Sequence, residues 1–333
     1  MHRSSFLPLI VTTLCLIPAL RSKAAEDVGP FVRALWLVQS QGTPELLDSR
    51  NDQKLKGRLV KALGKDVVLT ATGAKNLMNS ATFEKLAGAD GRIDAHEVTM
   101  ALEHEAPWSR KRLKPEVVAH AERLTTSFDL IGETHFPAGD ALVDWIVKNQ
   151  KPGQSLHLTV ICTGNSRRSL LGATMGNIAA AYYGMPEIQF HSGGTAPTAF
   201  NPRTIATLKA IGVEIEPTGV EAPRGEPKTA NPLYKVRWGQ PGDPQFETTE
   251  FSKKYFDASN PQSGFAALMV CGEADEACPL VKGSSIRISM PYLDPKIYDG
   301  GTLEELKYAE RRDDMGRLML SVMMRVRNAL NQR

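Results

Sequence analysis

The sequence predicts an α/β domain, with a parallel sheet flanked by helices, that follows a small helical region. From about residue 128 onward, short apolar runs rich in β-branched residues alternate with longer helical patterns, and this alternation is typical of parallel sheets covered by helices. The composition, with 42% hydrophobic and 23% charged residues, is that of a globular protein and excludes disordered and fibrous classes. A length of 333 residues suits one large domain or two ordinary ones.

Each element of the predicted α/β domain follows from a local pattern. Short apolar and β-branched runs predict the strands, and apolar residues at three- and four-residue spacing predict the helices. The strands are expected at 156–161, 188–191, 265–270 and 285–289, and the helices at 141–148, 170–183, 201–211 and 303–331. Pro202 suits the first turn of its helix. The Pro-, Gly- and Asn-rich stretch 217–261 is expected to be either an insertion over the sheet or a flexible lid.

Residues 1–25 have the features of an export signal. Arg3 provides the positive charge, residues 7–20 the apolar core, and Ala24 and Ala25 a small-residue cleavage site. The core is shorter than the about 20 residues that a membrane-spanning helix needs. We therefore expect an exported protein, periplasmic or secreted, with no stable membrane insertion after cleavage. An uncleaved anchor is the alternative.

The charge balance argues against a general nucleic-acid binder. Arg3, Arg21 and Lys23 account for the formal net charge of +3, because the first 25 residues contain no acid. The rest of the chain carries 37 basic and 37 acidic residues, whereas nucleic-acid binding requires a basic patch or stripe. We expect no nucleic-acid partner.

The region 26–126 is expected to be helical, and no role follows for it from the sequence. Residues 90–97 resemble the second half of a calcium-binding loop, with Gly91 at the loop glycine and Glu97 at the bidentate position. The first and third ligand positions would be Leu86 and Gly88, which have no side-chain oxygen. This favours a joint between two helices without metal over a calcium site.

Three cysteines remain after signal cleavage: Cys162, Cys271 and Cys278. An odd number in an exported protein argues against a disulfide framework and for at least one functional thiol. The chain has no Cys-x-x-Cys pair, and no His lies close to these cysteines in sequence, so the pattern does not indicate a zinc site. We expect no metal and no organic cofactor.

The segment 158–169 is predicted to run from a strand through a tight loop into a helix. Five residues separate Cys162 from Arg168, and a loop of this size can turn its backbone N–H groups inward around an anion at a helix N-terminus. Cys162 is expected to be a thiolate nucleophile there, and the planar guanidinium of Arg168 can grip two oxygens. The predicted oxyanion-binding residues are Thr163, Gly164, Asn165, Ser166, Arg167, Arg168 and Ser169. The alternative is a buried cysteine before a basic helix start.

This loop resembles the active-site loop of the low-molecular-weight protein tyrosine phosphatases and of the thioredoxin-coupled arsenate reductases built on the same fold. It is closest to the reductase form, Cys-Thr-Gly-Asn-Ser-Cys-Arg-Ser, with Arg167 in place of the second Cys. The similarity extends through 191–195, 201–215, 271–279 and Asp294-Pro295. It implies a domain over residues 127–333 with a four-stranded parallel sheet, preceded by the region 26–126.

The resemblance also implies roles for individual residues. Cys162 would be the nucleophile, and Asp294 the acid that protonates a leaving oxygen and then activates water, with Asp299 a less suitable substitute. Cys271 and Cys278 match the resolving cysteines of the reductases, which pass a disulfide to a thioredoxin-like reductant. The polar segment between them is expected to be able to loop out.

The residues leave the reaction open between two chemistries. Two features depart from the reductase pattern. Arg167 replaces a cysteine, and Gly172 and Ala173 stand where the reductases have an acidic residue. In the phosphatases an aromatic pair commonly follows Asp-Pro, and here Lys296 and Ile297 stand in its place. The segment 231–238 could supply a replacement for these aromatic side chains. Because both resolving thiols occur, we place reduction of arsenate slightly ahead of hydrolysis of a phosphomonoester. A non-catalytic anion-binding or redox-sensing module is the third alternative.

Overall fold

The computed structural model describes residues 107–125, 127–224, 228–277 and 280–331. The predicted export signal 1–25, the calcium-like segment 90–97 and Cys278 therefore lie outside the described residues. Pro107–Leu124 and Leu130–Arg327 form one compact unit. The elements that carry the predicted loop all belong to this unit.

The strands form two separate sheets. In chain order they are β1 Leu156–Cys162, β2 Ile188–Gly194, β3 Glu214–Glu221, β4 Pro232–Arg237, β5 Glu247–Glu250, β6 Phe265–Met269 and β7 Ser284–Ser289. One sheet has the order β2-β1-β6-β7, and all of its neighbouring strands are parallel. The other has the order β3-β4-β5 and is antiparallel.

All four helices predicted for the α/β domain are present, and three further helices accompany them in the described residues. Together they are α1 Trp108–Arg112, α2 Pro115–Thr125, α3 Phe136–Asn149, α4 Arg168–Tyr182, α5 Pro202–Lys209, α6 Gly272–Ala277 and α7 Glu304–Asn331, with short 3-10 turns at Phe128–Leu130, Glu133–His135, Pro244–Phe246 and Pro295–Tyr298. Asn201 caps α5 by accepting from the Arg203 amide at 2.9 Å. Among the described helices, none combines the length and apolar character needed to cross a membrane.

The predicted α/β class is confirmed: a four-stranded, all-parallel sheet is flanked by helices. Leu158 of β1 pairs with Phe190 of β2 on one side and with Ala266 of β6 on the other, which makes β1 and β6 the central strands. Every residue of β6 is buried, and six of the seven in β1 are. Central strands covered on both faces read as continuous apolar runs, which is why the sequence located them.

The stretch 217–261 is an ordered insertion, because β4 and β5 and most of β3 lie in it. Two of its aromatic residues, Trp238 and Phe246, are buried, and the Trp238 amide donates to the Phe246 carbonyl at 2.9 Å. The sequence did not reveal these strands, since β3 is largely exposed and contains Pro217 and Gly219, residues that are depleted in strands.

The first two helices pack with the α/β unit, although the sequence assigns them to the preceding region. Ser109 donates to the Ala181 carbonyl at 2.6 Å, and Arg110 donates to the Tyr182 carbonyl at 2.8 Å. Both acceptors lie in the last turn of α4, so part of the segment before residue 127 caps the helix that carries the predicted loop at its other end.

Two contacts with Phe190 of β2 hold the helix α4 against the sheet. The Asn177 amide group donates to the Phe190 carbonyl at 2.8 Å and accepts from the Phe190 amide at 2.9 Å. A Cβ on Gly176 would lie 2.5 Å from two atoms of the Phe190 ring. The absence of a side chain at Gly176 therefore sets how closely α4 approaches the sheet.

We predict that Gly176→Ala lowers the free energy of unfolding by about 1–3 kcal/mol, the usual cost of overpacking a core. Urea unfolding followed by circular dichroism measures it. Gly272→Ala is the matched control, because a Cβ on Gly272 meets no heavy atom within 4 Å and alanine suits a helix better than glycine. Equal stability of Gly176→Ala and wild type would contradict this packing.

Candidate active site

A tight loop joins β1 to α4 at the carboxyl edge of the parallel sheet. Cys162 is the last residue of β1 and Arg168 the first of α4, so the loop between them sits at a helix N-terminus, where the helix dipole favours an anion. Asn165 has a φ of 40°, in the left-handed region that asparagine tolerates better than most residues. Both Cys162 and Asn165 are buried.

The loop carbonyls are tied outward by the segment that follows β2. Four of them accept hydrogen bonds from its backbone amides. The pairs are Cys162 with Thr195 (3.1 Å), Thr163 with Ala196 (2.9 Å), Gly164 with Thr198 (3.0 Å) and Ser166 with Asn201 (3.1 Å). Because a carbonyl and the next residue's N–H point in opposite directions across a planar peptide, the N–H groups of residues 163, 164, 165 and 167 point away from this segment. Within the described chain, none of these four N–H groups donates to a protein acceptor.

The glycine pair at the end of β2 allows the surrounding backbone to reach the loop. A Cβ on Gly194 would lie 2.6 Å from the Thr163 carbonyl oxygen and 2.8 Å from the Asn165 nitrogen. A Cβ on Gly193 would lie 2.5 Å from the Tyr255 Cα. The glycines of the predicted motif 191–195 are therefore required by close backbone contact.

A chain of hydrogen bonds directs a hydroxyl proton toward the Cys162 sulfur. The Lys253 amide donates to Asn165 Oδ1 at 2.8 Å, and since a backbone N–H can only donate, this contact fixes the orientation of the Asn165 amide. Its Nδ2 then donates to Ser169 Oγ at 2.9 Å. Ser169 Oγ lies 3.1 Å from Cys162 Sγ, so the serine proton is free to stabilise a thiolate.

Arg168 presents an unpaired donor beside the loop. Its Nη1 donates to the Tyr292 carbonyl at 3.1 Å and its Nη2 to Asp294 Oδ2 at 2.8 Å. Its Nε has no partner among the described residues, although the residue is only 7% exposed. A buried donor without an acceptor is costly, and together with the free loop amides it makes this a site complementary to a tetrahedral oxyanion.

The structure brings Asp294 to the loop through Arg168. Asp294 caps the turn Pro295–Tyr298, where its Oδ1 accepts from the Lys296 amide at 3.0 Å. Its side chain is 30% exposed, so solvent and a substrate can reach the carboxylate. This places the Asp294 carboxyl group where it would be able to exchange a proton with an anion bound by Arg168.

Arg167 and Asp299 meet each other and not the centre of the loop. Arg167 Nη2 donates to Asp299 Oδ2 at 2.8 Å, and its Nε donates to the Tyr308 hydroxyl at 2.6 Å. The Arg167 guanidinium is therefore directed at Asp299 and Tyr308 and away from the predicted anion position. Asp299 correspondingly has no described contact with Arg168.

His191, within the predicted motif, is not suited to act as an acid. Its Nε2 lies 3.1 Å from His157 Nδ1. Burial, followed by the nearby His157 and Lys253, lowers the pKa of His191 to about 3. The imidazole is therefore neutral near pH 7, which leaves Asp294 as the acidic group that contacts Arg168.

A second free thiol lies against the loop. Cys271 follows β6 and is fully buried and unpaired. Its Sγ is 3.6 Å from the hydroxyl oxygen of Thr163, the residue after Cys162. The same hydroxyl donates to Glu273 Oε2 at 3.2 Å. Thr163 therefore follows the candidate nucleophile Cys162 in the chain and contacts Cys271, the first candidate resolving thiol.

The segment after Cys271 forms the helix α6 in this structure; its polar sequence predicts that it is able to loop out. Asp275 forms an ion pair with Arg287 and accepts from the Ser289 hydroxyl at 2.7 Å. Both partners lie in β7, so contacts distant in sequence hold these residues helical. Cys278 lies just beyond the described part of this helix.

The insertion supplies contacts to the loop that the sequence did not indicate. Ser252 Oγ donates to the Gly164 carbonyl at 2.9 Å, and the Asn231 side chain bonds both the amide and the carbonyl of Ser252. In the segment 231–238, Trp238 is buried and Tyr234 packs edge-to-face on Phe200. No local pattern marks Ser252 or Lys253, because each contacts the loop across 88 residues of sequence.

Neither protein-family models nor curated protein sequences give a match to this chain. In the described ranges, no group of three or more His, Cys, Asp or Glu side chains could hold a metal ion. The interpretation of the site therefore rests on its own geometry.

We predict that inorganic phosphate protects Cys162 from alkylation by iodoacetamide. Arg168→Ala should raise the phosphate concentration needed for half-maximal protection about tenfold or more, because a hydrogen bond to a charged group contributes about 1.5–3 kcal/mol. Arg168→Lys should be intermediate, since it keeps the charge and loses the planar fork. Peptide mass spectrometry at increasing phosphate concentration gives the alkylation rate.

The matched control for this experiment is Arg325→Met, which removes an arginine that pairs with Asp140 and should leave protection unchanged. If Arg168→Ala is protected as well as wild type, Arg168 does not bind the anion.

Proposed function

We propose that the chain is a cysteine-dependent enzyme acting on tetrahedral oxyanions, related to the low-molecular-weight phosphatases and thioredoxin-coupled arsenate reductases, and that it reduces arsenate to arsenite. The parallel sheet order β2-β1-β6-β7 and the loop between Cys162 and Arg168 support the relationship. The observation that carries the choice of reaction is the free thiol of Cys271, whose Sγ lies 3.6 Å from the hydroxyl of Thr163.

In the first step of this proposal, the Cys162 thiolate attacks arsenic. A sulfur–arsenic bond forms and one arsenate oxygen leaves as water, with a proton supplied by Asp294. The loop amides, Arg168 and the N-terminus of α4 stabilise the negative charge on the remaining oxygens. Ser169 donates to the sulfur before attack and again when the sulfur departs.

The second step uses Cys271 as the resolving thiol. The Cys271 thiolate attacks the Cys162 sulfur, the new disulfide forms, and the electron pair of the broken sulfur–arsenic bond leaves with arsenic as arsenite. Cys278 then attacks Cys271, which transfers the disulfide to the pair 271–278 and releases the Cys162 thiolate. An external dithiol of the thioredoxin type returns both cysteines to the reduced state. If residues 1–25 direct export, this donor acts outside the cytoplasm.

Hydrolysis of a phosphomonoester is the second candidate, and the contact between Asp294 and Arg168 favours it. Cys162 would attack phosphorus while the bond to the leaving oxygen breaks and Asp294 protonates that oxygen. The resulting phosphocysteine would be hydrolysed by a water that Asp294 deprotonates. This chemistry needs Cys162, Arg168 and Asp294 but neither of the other thiols.

Substitution of the resolving thiol separates the two reactions. We predict that Cys271→Ser abolishes turnover of arsenate in the presence of a thioredoxin system and leaves hydrolysis of aryl phosphates within about threefold of wild type, because serine cannot form the disulfide. Assays of arsenite formation and of phenol release measure the two activities. Cys162→Ser is the control that should eliminate both.

The reductase proposal is wrong if Cys271→Ser reduces arsenate as fast as wild type. Binding of arsenate by wild type, without turnover under either assay, would instead indicate the non-catalytic anion-binding module.

For the hydrolase candidate, Asp294→Asn should slow the cleavage of phenyl phosphate by about a hundredfold or more, the usual size of a general-acid effect. The substitution keeps the shape of the side chain and removes its exchangeable proton. Steady-state kcat measures the effect, and an unchanged kcat removes Asp294 from the chemistry.

A further inference from the structure

Two consecutive arginines at the start of α4 hold the two ends of the segment that carries Asp294. Arg168 contacts the carbonyl of Tyr292 and the carboxylate of Asp294. Arg167 contacts the carboxylate of Asp299, five residues further along. The segment 292–299 is thereby tied at both ends to the helix that begins the anion-binding loop.

The contacts of Arg167 form a closed triangle. Arg167 donates to the Tyr308 hydroxyl at 2.6 Å and to Asp299 Oδ2 at 2.8 Å. The Tyr308 hydroxyl donates to Asp299 Oδ1 at 2.7 Å. Tyr308 is 1% exposed and the other two side chains are mostly buried, so solvent weakens these charged contacts less than it would on an open surface.

Tyr308 and Arg167 both keep the protons that they donate within the triangle near neutral pH. Burial is the largest cause that raises the pKa of Tyr308 to about 12, so its hydroxyl keeps the proton that it donates to Asp299. Burial opposes the charge of Arg167, but Tyr308 and the nearby carboxylates outweigh it and raise the pKa of Arg167. Arg203 adds a longer contact of 3.7 Å to Asp299.

Between Tyr292 and Asp299, apolar packing gives the segment little support. Leu293 and Ile297 are more than half exposed, and Pro295 is the one buried residue of the turn Pro295–Tyr298. At the start of the segment Tyr292 is buried, and its ring stacks on His135 with 4.1 Å between the ring centroids. The position of Asp294 therefore depends on the packing of Tyr292 and on the polar contacts at the two ends of the segment.

We propose that Arg167, Asp299 and Tyr308 form a latch that positions Asp294, the acid, over the Cys162 loop. The Arg167 side chain is a positioning group that acts through this segment and does not touch the oxyanion. The inference rests on the proposed role of Asp294 as a general acid toward a phosphomonoester. It also assigns a purpose to the arginine that stands where the resembled reductases have a cysteine.

The leaving group of an aryl phosphate distinguishes misplacement of an acid from general damage. Phenolate is a poor leaving group that requires protonation, whereas 4-nitrophenolate leaves readily without it. A variant that misplaces Asp294 loses more activity toward phenyl phosphate than toward 4-nitrophenyl phosphate. A variant that disturbs the loop itself loses activity toward both substrates equally.

The experiment compares kcat/KM of the full chain for both substrates in wild type, Asp294→Asn, Arg167→Met and Asp299→Asn, because kcat/KM reports the step in which the leaving group departs. We expect Arg167→Met and Asp299→Asn to lose about tenfold more kcat/KM with phenyl phosphate than with 4-nitrophenyl phosphate, as part of the general-acid effect. Adding Arg167→Met to Asp294→Asn should cause no further loss that differs between the two substrates. Arg325→Met is the matched control and should retain the kcat/KM of wild type for both substrates.

Each contrary outcome has a separate meaning. The latch is wrong if Asp294→Asn loses more activity toward phenyl phosphate than toward 4-nitrophenyl phosphate while Arg167→Met and Asp299→Asn do not. In that case the assignment of Asp294 as the acid is kept. If Asp294→Asn is itself unselective, the acid assignment fails and the latch with it. Absence of hydrolysis in wild type overturns the hydrolase candidate and the latch together. Because Asp299→Asn keeps the size of the side chain, it tests the latch even if Arg167→Met does not fold.

Discussion

The outward tethering of four loop carbonyls is the constraint on which the site depends. Amides of the segment 195–201 hold the carbonyls of residues 162, 163, 164 and 166, and planar peptides then direct the following N–H groups toward the inside of the loop. Without an anion, this arrangement leaves several donors unpaired, which the chain would avoid in a purely structural turn. Binding of an oxyanion, as proposed, would supply the missing acceptors.

Contacts from distant parts of the chain hold this arrangement in place. Gly194 permits close backbone contact from β2, and Ser252 and Lys253 reach the loop from the insertion. Arg168 is held by Tyr292 and Asp294 with its Nε left free. Fixed donors aimed at developing charge need no reorganisation during reaction, and this is the main source of rate enhancement at such sites. The insertion is therefore part of the site as well as part of the fold.

The sequence predicted the fold and the candidate site correctly in position where the residues that form them are contiguous in the chain. Cys162, Gly164, Asn165 and Arg168 lie within one strand–loop–helix segment, and the central strands are apolar because both faces are covered. Asp294 was reached only through the resemblance. Lys253 and Tyr308 could not be found, since they contact the loop across 88 and 141 residues and neither belongs to a local motif. The helix α6 was missed for a related reason: Asp275 is held by Arg287 and Ser289 of β7, and nothing nearby in sequence indicates them.

A crystal structure of the full chain with vanadate would test the oxyanion site most directly. Vanadate mimics the five-coordinate geometry of a phosphoryl group or arsenate under attack. The account predicts vanadium bonded to Cys162 Sγ, with oxygens at hydrogen-bond distance from the N–H groups of residues 163, 164, 165 and 167 and from Arg168 Nε. Vanadate bound elsewhere while the loop stays empty at saturating concentration would contradict it.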